Sequence, residues 1–134
     1  MEYAKLGKSD LSVSRLVLGA VQFGWTVEKT DARKIIFAAL DAGINMIDTS
    51  HIYGDGLSEE YIGSVYPSIR NRLLIATKGG HFQSGGPTRA KLMDELETSL
   101  RRLNTDHIDL YQVHFGIEQG VETVSYTHLR AHET

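Results

Sequence analysis

The 134-residue sequence contains no cysteine, two prolines and a single tryptophan. Without a thiol there is no disulfide, no thiolate metal site and no cysteine nucleophile. Charge of one sign is also lacking: 14 Lys plus Arg against 17 Asp plus Glu leave a formal charge of −3. That balance does not hold nucleic acid or an anionic membrane by bulk attraction, so neither is expected as a partner. No apolar run approaches the roughly 20 residues of a membrane span. The opening MEYAKLGKSD has no apolar export core, and the expectation is a cytoplasmic protein. Walker A and H-E-x-x-H sequences are missing, and the segment Gly19-Ala20-Val21-Gln22-Phe23-Gly24 lacks one glycine of the dinucleotide fingerprint. What remains is a globular composition, 41% hydrophobic and 23% charged, in a chain too short for the ~250 residues of a complete (β/α)8 barrel.

The pattern along the chain alternates strands and helices. Tyr3 to Leu6 and Leu11 to Val13 read as a hairpin around Gly7-Lys8-Ser9-Asp10. Arg15 to Ala20 is an almost unbroken apolar run, as in a strand covered on both faces. A helix capped by Thr30 and ended by Gly43 follows, then a strand over Asn45 to Thr49. Ser58 opens a short helix that Pro67 ends, and Leu73 to Thr77 is the next strand. After a glycine-rich loop from Gly79 to Pro87, Thr88 caps the longest helix. Its Met93, Leu96, Leu100 and Leu103 share one face, and Asn104 stops it in a left-handed conformation. Ile108 to Phe115 is the last core strand. Such alternation requires parallel strands joined by right-handed crossovers. With the fingerprint glycine missing, a barrel segment is the expectation: an α/β fold forming the amino-terminal half of a (β/α)8 barrel behind an N-terminal β-hairpin.

Barrel chemistry sits at the carboxyl ends of strands. There the sequence places Asp48 with Tyr53 after it, Lys78, and His114. If these point inward, alternation puts Met46, Leu74, Ala76, Leu110 and Gln112 on the same mostly apolar face. Singly, each polar residue has an ordinary structural use. Together they form a proton-donating set for a carbonyl oxygen. A phenol is a weak acid at neutral pH, and an ammonium beside it stabilises negative charge on the oxygen as the proton leaves. Asp48 would keep Lys78 charged and oriented, and His114 would bind the carbonyl oxygen. None of these residues carries hydride, so reduction requires a nicotinamide or similar cofactor. A barrel hydrolase using Asp48 and His114 leaves Tyr53 and Lys78 unexplained.

At these residues the sequence resembles the aldo-keto reductase family. Gly43-Ile44-Asn45-Met46-Ile47-Asp48-Thr49-Ser50-His51-Ile52-Tyr53-Gly54 is similar to its most characteristic signature. Ala76-Thr77-Lys78 resembles its lysine motif, and Asp109-Leu110-Tyr111-Gln112-Val113-His114 its histidine motif. Leu6-Gly7 with Val13-Ser14-Arg15-Leu16, and Gly56-Leu57-Ser58-Glu59-Glu60, are similar to further family segments. The resemblance runs from residue 1 to about 116. It implies Tyr53 as general acid, Lys78 and Asp48 as its tuning pair, and His114 as carbonyl orienter. It also implies NADPH, or NADH, as hydride donor, with Gly19, Ala20, Val21 and Asp48 bordering the nicotinamide and the main contacts to the adenosine phosphate in the absent half. The substrate would be a small carbonyl compound, no metal is implied, and the fragment itself would be inactive. Many members carry Thr where this chain has Ala20, and often Trp-Pro where it has Phe115-Gly116. Trp25 and His51 are candidates for the substrate pocket. The alternative is a non-catalytic regulatory or binding protein on the same fold, as in the family's channel-associated subunits.

The last residues read differently. Val124-Ser125-Tyr126-Thr127-His128-Leu129-Arg130-Ala131-His132-Glu133-Thr134 resembles the third-frame translation of a transposase-type sequencing adapter. The expectation is a partial barrel over residues 1–122 and an artefactual tail over 123–134, so the His128 and His132 pair is not read as a metal site.

Overall fold

In a computed structural model of the chain, residues 1–81, 87–114 and 129–130 are described. An antiparallel pair, β1 (Tyr3–Lys5) and β2 (Ser12–Ser14), precedes a four-stranded parallel sheet. The sheet runs in the order β3 (Leu18–Gly19), β4 (Met46–Asp48), β5 (Leu74–Gly79) and β7 (Leu110–Val113). Between its strands lie α1 (Lys29–Asp41), the short α2 (Leu57–Gly63) and α3 (Tyr66–Ile69), and α4 (Arg89–Leu103). The expected βα succession is therefore present among the described residues.

Two apolar clusters separate the faces of the sheet. Ile47, Ile75 and Ile108 pack with Ile36, Leu40, Ile62, Leu96 and Leu103 of the helices. On the other face Met46 and Ala76 pack with Val13, bordered by Leu6, Leu11, Leu74 and Leu110. This is the period of two that places Asp48 and Lys78 on the inner face above an apolar floor. Asn45 joins the hairpin to that floor. Its Oδ1 accepts from the Ser14 amide at 2.8 Å, and its Nδ2 donates to the Ser12 carbonyl at 2.9 Å.

The helix ends follow local chemistry. Thr88 Oγ1 accepts from the Lys91 amide at 3.3 Å, and Asn104 adopts φ 53°, so both expected boundaries of α4 are observed. Gly43, at φ 88°, ends α1 while the Ile44 amide reaches back to the Ala39 carbonyl at 2.9 Å. Only a left-handed residue permits that closure.

Four boundaries differ from expectation. The first core strand is Leu18–Gly19 alone: Leu16 and Val17 are exposed, and Ser14 Oγ turns back to donate to the Leu16 carbonyl at 2.6 Å. Helix α1 begins at Lys29 with Glu28 in the cap position, so Thr30 lies inside the first turn. Pro67 stands in the first turn of α3, where its missing N–H costs nothing, instead of ending a helix. The last strand is divided into β6 (His107–Ile108) and β7 by Asp109, whose Oδ2 accepts from the Ile75 amide at 2.8 Å. Phe115, Gly85, Gly86 and most of the 123–134 segment lie outside the described residues. Leu129–Arg130 forms β8, antiparallel to β6. No helix among the described residues is long and apolar enough to cross a membrane.

Candidate active site

Strand β5 delivers Lys78 into the space between β4 and the turn that follows it. Its Nζ donates to Asp48 Oδ2 at 2.7 Å and to the Thr49 carbonyl at 2.8 Å, with the Tyr53 hydroxyl at 3.5 Å. The ammonium has three protons and three acceptors. Its side chain is 14% exposed and that of Asp48 35%, so the pair lies at a rim and is partly screened. Tyr53 opens a 3-10 turn, Tyr53–Gly56, through Gly54 and Asp55 in left-handed conformations, and its ring centroid lies 5.1 Å from the Lys78 ammonium.

His114 follows β7. Its amide donates to the Gly79 carbonyl at 2.7 Å, and its ring meets that of Tyr53 edge-on at 5.8 Å between centroids. Ser50 Oγ lies 2.9 Å from Nδ1. Burial first, then the Lys78 ammonium and the His81 and His51 rings, hold its pKa below the ordinary 6.5, against an opposing pull from Asp48. A neutral imidazole is therefore the form presented near neutral pH. The four residues singled out at strand ends thus converge on one place.

The residues proposed to border a cofactor lie beside them. Gly19 pairs with Asp48 across β3 and β4, and a Cβ placed on it would meet nothing within 4 Å. Ala20 is buried, its amide bonded to the Asp48 carbonyl and its carbonyl to Ser58 Oγ, each at 2.9 Å. Val21 is exposed. The open space over Gly19, on a backbone anchored through Ala20, would accommodate a flat ring such as nicotinamide. No group of three His, Asp or Glu side chains among the described residues is placed to hold a metal ion.

A cleft of about 370 Å3 adjoins Tyr53, lined in part by Val21, Trp25, Ile52 and Leu57. Trp25 is 72% exposed at its edge. His51, in contrast, is not in the cleft. Its ring turns toward α4, where Nδ1 lies 2.8 Å from the Lys78 carbonyl and Nε2 3.4 Å from Glu95 Oε1.

Residues the sequence reading did not single out hold these parts together. Glu59, fully buried, accepts from Thr77 Oγ1 at 2.7 Å and lies 3.5 Å from Arg102. Arg102 also donates to the His51 carbonyl at 2.9 Å. Thr49 and Ser58 share a hydroxyl contact of 2.8 Å. A signal for Glu59 was its place on the apolar side of a short helix beside Ile62, where a carboxylate needs a partner. Ser50 had no signal beyond its position two residues after Asp48.

A parallel α/β sheet that gathers lysine, carboxylate, phenol and imidazole at one edge places the chain in the class of barrel-related α/β folds. The aldo/keto reductase family model matches residues 15–125, and the chain belongs to that family. It is 38% identical to the oxidoreductase YqkF of Bacillus subtilis, over 91% of this chain and 42% of that protein. It is 34% identical to a probable voltage-gated potassium channel subunit beta of Oryza sativa, covering 85% of this chain and 37% of that one. Among solved structures, an aldo-keto reductase of Bacillus halodurans in its holo form superposes with a TM-score of 0.78 at 39% identity, over 87% of this chain and 41% of that one. The chain spans about two fifths of the length of the relatives it matches.

Proposed function

We propose that residues 1–122 are the first part of a (β/α)8 barrel that reduces aldehydes or ketones to alcohols, or runs the reverse reaction, with NADPH or NADH. Residues beyond this chain would complete the barrel, and the 123–134 segment lies outside it in this reading. The single observation that carries the proposal is the coordination of Lys78. Because its ammonium donates toward Asp48, the Thr49 carbonyl and the Tyr53 oxygen together, the phenol's own proton is left to point away from Lys78, toward the cleft.

In that arrangement Tyr53 gives its proton to the carbonyl oxygen while Lys78 stabilises the charge left behind. Asp48 holds the ammonium in place, and the neutral His114 orients the carbonyl oxygen. When bound along Gly19 to Val21 and Asp48, the dihydronicotinamide supplies the hydride that no side chain can. The substrate is a small carbonyl compound seated in the cleft beside Trp25.

The test is Tyr53→Phe in the full-length protein. Turnover of simple aldehydes should fall by about 10²- to 10⁴-fold, with NADPH affinity nearly unchanged; undiminished turnover overturns the assignment. A regulatory reading has one observation in its favour, the identity to a channel subunit. A full-length protein that binds NADPH tightly and turns over none of a broad aldehyde panel would support it.

A further inference from the structure

His51 is enclosed by α4 from two sides. Glu95 approaches its ring, and Arg102, two turns further along the helix, donates to its carbonyl at 2.9 Å. Glu95 also accepts from the Gly80 amide at 2.6 Å. The ring and the carboxylate therefore span the Lys78 carbonyl and the Gly80 amide, on either side of the strand end that aims Lys78. The His51 and Glu95 side chains are each 12% exposed. Gly79 makes room for the carboxylate: a Cβ there would stand 2.8 Å from Glu95 Oε2 and 2.1 Å from the Tyr111 hydroxyl.

The Lys78 carbonyl can only accept, so the His51 Nδ1 beside it, at 2.8 Å, carries a proton. Ser50 Oγ is a competitor for the same carbonyl, but at 3.4 Å, whereas it lies 2.9 Å from His114 Nδ1. The carbonyl also accepts from the His51 amide at 3.3 Å, so ring and amide together take both its lone pairs and the Ser50 hydroxyl proton is directed to His114 Nδ1. An imidazole that accepts at Nδ1 keeps its own proton on Nε2. That is the tautomer able to donate to a carbonyl oxygen.

We propose that His51, clasped by Glu95 and Arg102, is a positioning residue: by occupying the Lys78 carbonyl it commits the Ser50 hydroxyl to His114 and so fixes the His114 proton on Nε2. Its effect on turnover rests on the reductase reading; its effect on the tautomer does not. Removal of the His51 ring frees Ser50 to donate to the Lys78 carbonyl and to accept from His114 Nδ1. The His114 proton then sits on the wrong nitrogen.

The experiment is imidazole ¹⁵N spectroscopy of the full-length protein at about pH 8, where neutral rings are read. In the unsubstituted protein His51 should carry a proton on Nδ1 and His114 on Nε2; the opposite nitrogen at either ring overturns the proposal, whether or not any variant folds. In His51→Leu the His114 proton should move to Nδ1, while His51→Asn, which restores a donor near the Nδ1 position, should return it to Nε2. Alongside, kcat should fall roughly 10- to 100-fold in His51→Leu with carbonyl KM and NADPH affinity little changed, and His51→Asn should recover most of the loss. An unmoved His114 proton in folded His51→Leu, or an Asn variant as impaired as the Leu variant, overturns the assignment. The spectra need no turnover. An unsubstituted protein that is inactive but shows the stated tautomers contradicts the reductase reading and supports the clasp.

Discussion

Gly63 of α2 and Arg102 of α4 touch backbone to backbone: a Cβ on Gly63 would stand 2.0 Å from the Arg102 carbonyl oxygen. The close approach sets where Arg102 begins its reach toward Glu59 and the His51 carbonyl. Gly63→Ala must push the helices apart, because the obstructing atom is backbone and cannot rotate away. The expected destabilisation is about 1–3 kcal/mol, read as a lower urea midpoint at unchanged slope.

Gly19→Ala tests the opposite situation. With nothing within 4 Å of the added methyl, stability should change by less than about 0.5 kcal/mol. If the surface over Gly19 receives the nicotinamide, the same methyl occupies ligand space, and NADPH affinity should fall roughly tenfold. Fluorescence titration of the full-length variant reads it; unchanged affinity would move the cofactor elsewhere.

The depressed pKa of His114 gives stability a pH dependence of definite sign. In the unfolded chain the imidazole takes its proton near 6.5, whereas the native ring takes it only at lower pH. Between those values the unfolded state binds more protons, so stability falls as the solution is acidified. The contribution is fully present above about 6.5 and is lost as pH falls through the native value. His114→Gln should flatten that part of the curve relative to the unsubstituted protein, measured by denaturation across pH 5 to 8, about the range in which histidine titrates.

Among the described residues, strands β3 and β7 each have one sheet neighbour, and Leu16, Val17 and Val113 are exposed beside or within them. An apolar side chain left in water forgoes roughly 1.5–3 kcal/mol of burial. Expressed alone, residues 1–134 are therefore expected to associate through these edges, giving dimers or larger species by light scattering and weak NADPH binding. A sharply melting monomer with micromolar NADPH affinity would contradict this.

Much of the site could be read in the sequence because strand alternation is a strict period. Once Met46 and Ala76 are assigned to the interior, Asp48 and Lys78 must share that face. The caps of α4 were legible for a similar reason, since Thr88 and Asn104 satisfy backbone groups by local chemistry. The extent of β3 was not legible: an apolar run shows what a segment could bury, and Leu16 and Val17 find no cover among the described residues. Pro67 was misplaced because proline breaks a helix interior yet suits a first turn. His51 is a candidate for the substrate pocket by sequence, yet its ring lies against Glu95 of α4. Its actual direction depends on Glu95 and Arg102, more than forty residues away, which no local pattern specifies.

Asp109 takes hold of Ile75 twice, its amide donating to the Ile75 carbonyl at 3.1 Å and its carboxylate accepting from the Ile75 amide. One residue, through its amide and its carboxylate, thus fastens both backbone groups of Ile75 like a key in its slot. A slip of β7 by one residue would break both bonds, and it would also turn His114 to the helix side of the sheet, away from Tyr53. The address of the imidazole is therefore written five residues upstream, at a carboxylate that never approaches the chemistry.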